Sequence, residues 1–185
     1  MKIIGGRLKG HKIKVNKSIE FRPALSVVKE AVFDMIQFKI EADDLFLDLF
    51  GGTGGIGLEA YSRGIQHVFI NEGNKLNFLS IKENVENFDI EEFVQVFNKD
   101  FRNMLDYCVN NNLVFNYIYV APPYKDIDFY KYVLIFFEQH PEILAEKALI
   151  FVEYRAKTDL DFSSFTIYKD KKYGSTKLTI LKKDK

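Results

Sequence analysis

The sequence predicts an α/β fold: a mostly parallel sheet with helices on both faces and an antiparallel hairpin at its C-terminal end. Two observations predict it. Between residues 45 and 154, short apolar runs typical of buried strands alternate with longer stretches of helical periodicity. Two further strand-like runs, at 164–173 and 175–183, are nearly contiguous, so they have no room for a crossover helix and should pair antiparallel.

The chain begins with "KIIGGRLKGHKIKV", which predicts two short strands around Gly5-Gly6 and Gly10. The segment 25–38 predicts a helix, because its apolar residues recur at helical spacing and Pro23 lies just ahead of it. The residues expected on its buried face are Val28, Val32, Met35 and Ile36.

Seven strands are then predicted, at 45–50, 67–71, 93–97, 117–120, 148–154, 164–173 and 175–183. Helices are predicted between the first five, at 54–62, 75–88, 101–111 and 128–139. In the helix at 75–88, Leu76, Leu79 and Val85 are expected near one face. This alternation is typical of a parallel sheet with both faces covered.

The composition narrows the class of protein further. A length of 185 residues indicates one domain, or one domain with a small appendage. No apolar run approaches the roughly 20 residues of a membrane span. Cys108 is the only cysteine, which excludes an intramolecular disulfide and favours a cytoplasmic location. His11, His67 and His140 are far apart and no cysteine pair exists, so no metal site is expected.

The net charge of zero hides an asymmetry. Residues 1–17 carry +6 and residues 165–185 carry +5, so the middle of the chain carries −11. Basic ends on an acidic middle are suited to contact with a polyanion. The alternative is that the lysines solvate edge strands, and charge alone favours that explanation.

The loop after the first strand has the pattern of a nucleotide-cofactor site. Gly52-Thr53-Gly54-Gly55-Ile56-Gly57 satisfies G-x-G-x-x-G between a strand and a helix, and Glu72 follows 20 residues after Gly52 at the end of the next strand. Glycines allow the backbone to approach a ligand closely, and Glu72 could accept hydrogen bonds from both ribose hydroxyls. The alternative is a loop that serves only to pack helix on strand.

Two aspartates indicate which ligand this loop binds. Asp48, four residues before Gly52, would repel the pyrophosphate of a dinucleotide but suits the ammonium and sulfonium of S-adenosylmethionine. Asp100, after the third strand, is placed to accept from the adenine amino group, with Phe101 or a neighbour against the ring. Asp100 could equally be a helix N-cap, and both roles can hold together.

The chain resembles class I S-adenosylmethionine-dependent methyltransferases, and more narrowly the bacterial family that methylates the guanine N2 amine of small-subunit ribosomal RNA. The resemblance rests on "GGRLKGHKI", "RPALSVVKEAVFDMI", "LDLFGGTGGIGLEAYSRG", "VFINEGN", "IKENVENF", "APPY" and "YGSTKLTIL", in family order over nearly the whole chain. It implies a Rossmann-like sheet with strand order three-two-one-four-five-seven-six. It also implies a basic β appendage at 1–20 ahead of a methyltransferase domain at 21–185.

Two positions depart from this family. Ala24 stands where a threonine usually follows Arg-Pro, and Ala121-Pro122-Pro123-Tyr124 stands where the family has Asp-Pro-Pro-Tyr or Phe. In that motif the acidic side chain and the carbonyl next to the first proline accept hydrogen bonds from the target amine, while the aromatic ring stacks on the base. Losing one such positioning bond costs roughly 10²–10³ in rate.

The resemblance implies S-adenosylmethionine as cofactor and a monomer that acts on ribosomal RNA, the small subunit or an assembly intermediate. The residues expected to contact RNA phosphates are Arg7, Lys9, Lys12, Lys14 and Arg22. Three interpretations of Ala121 stay open: an active enzyme with a weakened or relocated acceptor, an impaired relative that still binds RNA, or a deliberate or accidental substitution. An NAD(P)-dependent oxidoreductase is the remaining alternative, disfavoured by Asp48 and by the Pro-Pro motif.

Overall fold

The computed structural model describes residues 1–15 and 26–183. Its strands are β1 Leu45–Asp48, β2 His67–Asn71, β3 Val94–Phe97, β4 Phe115–Val120, β5 Leu144–Arg155, β6 Phe165–Tyr173 and β7 Thr176–Lys183. Its α-helices are α1 Ser26–Ile36, α2 Gly55–Ser62, α3 Lys75–Asn87, α4 Phe101–Asn110 and α5 Ile127–Gln139. A short 3₁₀ turn, Pro141–Ile143, precedes β5 and was not predicted.

The strands form one sheet in the order β3-β2-β1-β4-β5-β7-β6, which confirms the predicted order. Strands β1 to β5 pair in parallel, and β7 runs antiparallel to both β5 and β6, which confirms the C-terminal hairpin. The chain order reverses on either side of β1, because β2 pairs with one edge of β1 and β4 with the other. Ligands of open α/β sheets bind at the carboxyl ends of the strands beside such a reversal.

The apolar residues of the strands divide between two cores, one on each face of the sheet. Phe46 and Tyr119 pack on the face covered by Val32 of α1 and Leu58 of α2. Their chain neighbours Leu47 and Ile118, with Leu105 of α4 and Phe137 of α5, form the core on the other face. Since successive side chains of a strand point to opposite faces, the continuous apolar runs seen in the sequence are what a doubly covered sheet requires.

The predicted buried face of α3 is wrong in part. Leu76 and Leu79 are 50% and 46% exposed. The residues of α3 that are buried are Asn77, Ile81, Asn84 and Val85. The polar side chain of Asn84 keeps its hydrogen bonds when buried, because it accepts from the N–H of Lys14 at 2.9 Å and donates to the Lys14 carbonyl at 2.8 Å.

The N-terminal segment, residues 1–15, forms a tight loop that docks on α2 and α3. In place of two strands it has one antiparallel bridge, between Lys2 and Lys12. The backbone N–H of Arg7 donates to the Ser62 carbonyl at 2.7 Å, and Ile3 and Ile13 are buried in the core that α2 lines. The segment is thus packed into the same core as the helices that follow it.

A buried ion-pair cluster anchors this segment. The carboxylate of Glu59, in α2, accepts from the Ile4 N–H at 2.9 Å, from Lys29 Nζ at 3.0 Å and from Arg63 Nε at 2.9 Å. Lys29 Nζ also donates to the Lys2 carbonyl at 2.9 Å. The side chains of Lys29 and Glu59 are 4% and 0% exposed, so neither charge is solvated by water. The ion pair between them offsets the cost of burying both charges.

The two edges of the sheet are protected in different ways. β3 is short, with four residues, whereas β6 is long and carries Lys169, Lys171 and Lys172. Lysines on an edge strand oppose pairing with another chain. Their position on the edge strand β6 therefore supports the edge-strand explanation of the C-terminal basic charge. No helix in the described part of the chain is long and apolar enough to cross a membrane.

Candidate active site

A cavity of about 830 Å³ opens at the carboxyl ends of β1, β2, β4 and β5. It brings most of the predicted site residues together: Asp48, Gly52, Thr53, Glu72, Asp100, Phe101, Ala121, Pro122, Pro123 and Tyr124 all line it. The remaining two predicted cofactor residues, Gly54 and Gly57, do not line it. The glycine loop and the Pro-Pro-Tyr stretch, which are far apart along the chain, thus face one space.

The glycine loop is held by carboxylates. The Gly52 N–H donates to Glu72 Oε2 at 2.6 Å, and the Gly57 N–H donates to Asp48 Oδ2 at 3.1 Å. In a dinucleotide site, the N–H groups of this loop and of the following helix face a pyrophosphate. Here these two amides already donate to carboxyl groups of the protein, so the loop is suited to a ligand without phosphate. This arrangement disfavours the NAD(P) alternative.

Gly54 and Gly57 serve packing behind the cavity. Gly54 has a φ of 75°, which only glycine adopts readily, and it precedes the first residue of α2. A side chain at Gly57 would approach Ile70 of β2 to 2.5 Å. Gly57 therefore allows α2 to lie close against the sheet while its N–H holds Asp48.

Asp48 and Glu72 make the floor of the cavity acidic. Burial raises the pKa of Asp48 to about 7, and the nearby charges of Glu72 and Glu153 raise it too, against the Gly57 hydrogen bond that lowers it. Burial also raises the pKa of Glu72. A cation in the cavity would stabilise both carboxylates in their ionised form. The site thus fits a ligand with a positive charge, as S-adenosylmethionine has.

Glu72 keeps room for a ligand despite its internal contacts. Its Oε1 accepts from the Asn74 N–H at 2.7 Å, and its Oε2 from Gly52. The Asn77 side chain also hydrogen-bonds to this carboxylate. A carboxylate has about four acceptor sites, so these contacts leave room for a hydrogen bond from a ribose hydroxyl. The two backbone contacts fix the orientation of the carboxylate before a ligand binds.

Asp100 is the N-cap of α4, where its side chain accepts from the Arg102 N–H at 2.9 Å. Its neighbour Phe101 belongs to an aromatic wall with Phe50 and Phe129, at centroid distances of 5.2 Å and 4.6 Å from Phe101. The Arg102 guanidinium lies 4.5 Å from the Phe101 centroid and 5.4 Å from that of Phe129. An aromatic wall beside an acceptor is suited to an adenine ring, and the wall extends beyond the predicted Phe101.

The Pro-Pro-Tyr stretch is braced from below. The buried Tyr130 hydroxyl lies 3.0 Å from the Glu153 carbonyl and 3.3 Å from the Pro122 carbonyl, and shares its proton between them. The Pro123 carbonyl accepts from the Asp126 N–H at 2.9 Å. Each carbonyl has a second lone pair, so the bracing leaves one acceptor site on each oxygen. The Tyr124 hydroxyl donates to Glu153 Oε1 at 3.0 Å and lies 3.2 Å from Thr176 Oγ1, which orients its ring at the cavity.

Glu153 is the main site residue that the sequence interpretation missed. It lies near the end of β5, it is buried, and it lines the cavity with Ala121 and Tyr124. Its carboxylate also accepts a hydrogen bond from the Tyr119 hydroxyl. The signal was present in the sequence, since "ALIFVEY" places an acid inside an apolar run. A charge in such a position is retained only with partners or a function.

The predicted RNA contacts lie apart from the floor of the cavity. Arg7, Lys9, Lys12 and Lys14 are exposed on the N-terminal segment, whereas Arg22, like the family departure at Ala24, lies outside the described residues. Lys14 is ion-paired with Glu83, and the Arg7 guanidinium lies 4.8 Å from the Tyr61 ring centroid. Lys125 and Arg155, which were not predicted, are exposed and line the cavity itself.

A mostly parallel sheet in this strand order, a glycine loop whose amides donate to carboxylates, and a Pro-Pro-Tyr turn meet at one cavity. Together they define a class I S-adenosylmethionine-dependent methyltransferase. The acidic floor and the aromatic wall of the cavity suit S-adenosylmethionine as the cofactor. The chain belongs to the family described as Conserved hypothetical protein 95, whose model matches residues 1–182.

Two relatives and one solved structure illustrate the similarity. The chain is 29% identical to the Putative rRNA methyltransferase YlbH of Bacillus subtilis over 185 residues, which covers 99% of each chain. It is 26% identical to the Ribosomal RNA small subunit methyltransferase D of Escherichia coli over 176 residues, 94% of this chain and 85% of the relative. The structure of the Putative methyltransferase yhhF from Escherichia coli matches with a TM-score of 0.83 at 23% identity, over 100% of this chain and 98% of that one.

Proposed function

We propose that this protein transfers a methyl group from S-adenosylmethionine to the exocyclic N2 amine of a guanine in small-subunit ribosomal RNA. The observation that carries the proposal is the single cavity that joins the Glu72 and Asp48 carboxylates to the Pro122-Pro123-Tyr124 turn. The names of the relatives supply the class of substrate, ribosomal RNA of the small subunit. Such a substrate agrees with the cytoplasmic location expected from the single cysteine.

Different residues of the cavity bind different parts of the cofactor. Glu72 accepts from the ribose hydroxyls, Asp48 faces the cationic amino-acid end, and the aromatic wall around Phe101 covers the adenine, with Asp100 at its amino group. When bound, S-adenosylmethionine supplies an electrophilic methyl group on sulfur. The Asp48 and Glu72 carboxylates need little reorganisation when it binds, because the N–H groups of Gly52, Asn74 and Gly57 already hold them in place.

The other half of the cavity receives the base. A guanine must leave its stack to reach the Pro122 carbonyl and the Tyr124 ring, and base–aromatic stacking of about 1–3 kcal/mol stabilises the flipped state. The exposed arginine and lysines of the N-terminal segment would contact phosphates outside the cavity. Lys125 and Arg155, which line the cavity, would contact phosphates next to the flipped nucleotide.

The reaction can be tested with the purified protein, tritiated S-adenosylmethionine and total cellular RNA, followed by nucleoside analysis. We expect the label in N2-methylguanosine from the small-subunit RNA. Label in another nucleoside would refute the proposed target atom. Absence of label together with retained RNA binding would establish the second candidate, an impaired RNA-binding relative, which the methyl side chain of Ala121 favours.

RNA affinity should depend strongly on salt, and the N-terminal segment should carry part of that dependence. Replacing Arg7, Lys9 and Lys12 together by glutamine should weaken binding to all RNA sequences. It should also flatten the slope of log K against log salt by about 0.7–0.9 for each RNA phosphate that the variant no longer neutralises. Filter binding between about 50 and 200 mM salt measures the slope.

A matched triple variant, with glutamine at Lys169, Lys171 and Lys172 of the edge strand β6, serves as the control for this measurement. It removes the same number of charges from a different surface and should keep the wild-type slope. An unchanged slope in the N-terminal variant would mean that its cations only solvate the surface.

A further inference from the structure

The position of Glu153 relative to Ala121 follows from the register of two neighbouring strands. β4 and β5 pair in parallel with Tyr119 opposite Phe151 and Val120 opposite Val152. Ala121 and Glu153 are the next residues along each chain, so they are neighbours at the same edge of the sheet. The carboxylate of Glu153 accepts from the Tyr119 hydroxyl, which fixes it on the Tyr119 side of the sheet.

Glu153 also has acceptor capacity for a ligand. The hydrogen bonds from Tyr119 to Oε2 and from Tyr124 to Oε1 take one acceptor site on each oxygen. About four sites exist on a carboxylate. Burial, and next the charge of Glu153, raise the pKa of Tyr119 well above its usual value, so this hydroxyl stays a donor. The carboxylate is therefore held in place by two tyrosines while both of its oxygens can still accept hydrogen bonds.

We propose that Glu153 takes the part of the side chain missing at Ala121: it accepts a hydrogen bond from the guanine N2 amine and so selects guanine. This inference rests on the proposed function. In the transfer, a nitrogen–carbon bond forms as the carbon–sulfur bond breaks, the electron pair of that bond stays on sulfur, and the amine nitrogen is left with one proton in excess. The Glu153 carboxylate, in contact with that nitrogen, accepts the proton and passes it to solvent.

The chemistry of the base explains why a carboxylate at this place is selective. Guanine presents two adjacent donors, N1–H and N2–H, to an acceptor at this edge, and a carboxylate can bind both. Adenine presents an N1 acceptor beside its amine, which a carboxylate repels. Glu153 enters from the strand next to Ala121 and offers two oxygens, which matches the donor pair of guanine.

Binding of mononucleotides tests the contact without any methyl transfer. Guanosine and inosine monophosphate differ only in the N2 amine. With S-adenosylhomocysteine present, the wild-type protein should bind guanosine monophosphate about tenfold or more tightly than inosine monophosphate, as measured by NMR titration. Glu153→Met should reduce this preference to less than about threefold. Equal binding of the two nucleotides by the wild type would overturn the proposal.

Tyr124→Phe separates this role from a purely structural one. It removes the hydrogen bond from Tyr124 to Glu153 and keeps the ring. If Glu153 contacts the amine, the preference for guanosine monophosphate survives in Tyr124→Phe. If Glu153 acts only by holding Tyr124, the preference is lost in Tyr124→Phe as in Glu153→Met, which would refute the contact.

Single-turnover kinetics on small-subunit RNA give a second, independent readout. Glu153→Met should slow methyl transfer by roughly 10²–10³-fold. Adding Ala121→Asp to that variant should raise its rate of methyl transfer at least about tenfold, because a carboxylate then returns to the neighbouring position at the same edge of the sheet. The gain from Ala121→Asp should be larger in the Glu153→Met background than in the wild type. Glu146→Met, an exposed position on β5, is the matched control and should transfer at the wild-type rate.

The two proposals fail in different ways. If the preference for guanosine monophosphate depends on Glu153 and yet no RNA is labelled, the contact holds and the proposed reaction is wrong. If RNA is labelled at N2 of guanine and Glu153→Met keeps the full rate, the reaction holds and the role of Glu153 is refuted. If Glu153→Met transfers methyl slowly and the added Ala121→Asp does not raise that rate, the loss is structural and the proposed role of Glu153 is again refuted.

Discussion

Replacing Glu59 by leucine should lower the free energy of unfolding by about 3–5 kcal/mol, because it leaves the buried Lys29 ammonium without its counter-ion. Glu59 is the shared acceptor of Lys29, Arg63 and the Ile4 N–H, so the change also removes the anchor of the N-terminal segment. Urea denaturation measures the loss. Hydrogen exchange at the Ile4 N–H should become fast at the same time.

Two further variants show whether the unpaired charge is the cause. Glu59→Leu combined with Lys29→Met replaces the buried pair by apolar groups and should recover most of the loss. Glu86→Leu breaks the exposed Lys82–Glu86 pair on α3, which has an N–O distance of 3.7 Å, and should change stability by less than about 1 kcal/mol. A double variant as unstable as Glu59→Leu alone would instead attribute the loss to packing.

Replacing Glu72 by alanine should weaken binding of S-adenosylhomocysteine by about 1.5–3 kcal/mol, since it removes hydrogen bonds from the ribose to a charged acceptor. It also leaves the Gly52 and Asn74 N–H groups without their partner, which loosens the loop that shapes the cavity. Isothermal titration calorimetry measures the change. NAD should bind poorly to both proteins.

The conservative variant Glu72→Gln separates the two effects of Glu72→Ala. Its amide oxygen can still accept from one backbone N–H, so Glu72→Gln should lose less affinity than Glu72→Ala. Glu86→Ala, an exposed acid on the neighbouring helix α3, is the control for nonspecific electrostatics and should bind as the wild type does. Unchanged affinity in Glu72→Ala would contradict the assignment of the ribose contact.

The elements of the fold were predictable because their signals are local. Each strand and helix predicted after residue 25 is present, with ends shifted by a few residues, since buried runs and helical periodicity depend only on near neighbours. The strand order came from the resemblance to a family, because pairing partners along a sheet are not encoded in any short window. The cavity residues Asp48, Gly52 and Glu72 were predictable for the same reason as the strands. Asp48 is the last residue of β1, Gly52 follows β1 and Glu72 follows β2, so each is located once its strand is recognised.

The features that were missed depend on contacts distant in sequence. Leu76 and Leu79 have the spacing of one helical face, and Asn77 and Ile81 have the spacing of another. Which of the two faces is buried depends on the docked N-terminal segment and the sheet, which lie far away in sequence. Glu59 resembles an ordinary helix residue until Ile4 and Lys29 converge on it. The position of Glu153 beside Ala121 follows from the register of β5 on β4, which cannot be read from the sequence of either strand.

The place of β7 in the sheet has a consequence for how the chain is made. β5 lies inside the finished sheet, yet its outer edge pairs with β7, whose residues leave the ribosome after those of the six other described strands. Until Thr176–Lys183 are synthesised, the apolar stretch Ile150–Val152 presents an unpaired strand edge. Such an edge is a template for pairing with another nascent chain. Premature termination before residue 176 should therefore yield aggregates and proteolytic fragments, and the lysine-rich β6 shields the sheet only once β7 has paired with β5.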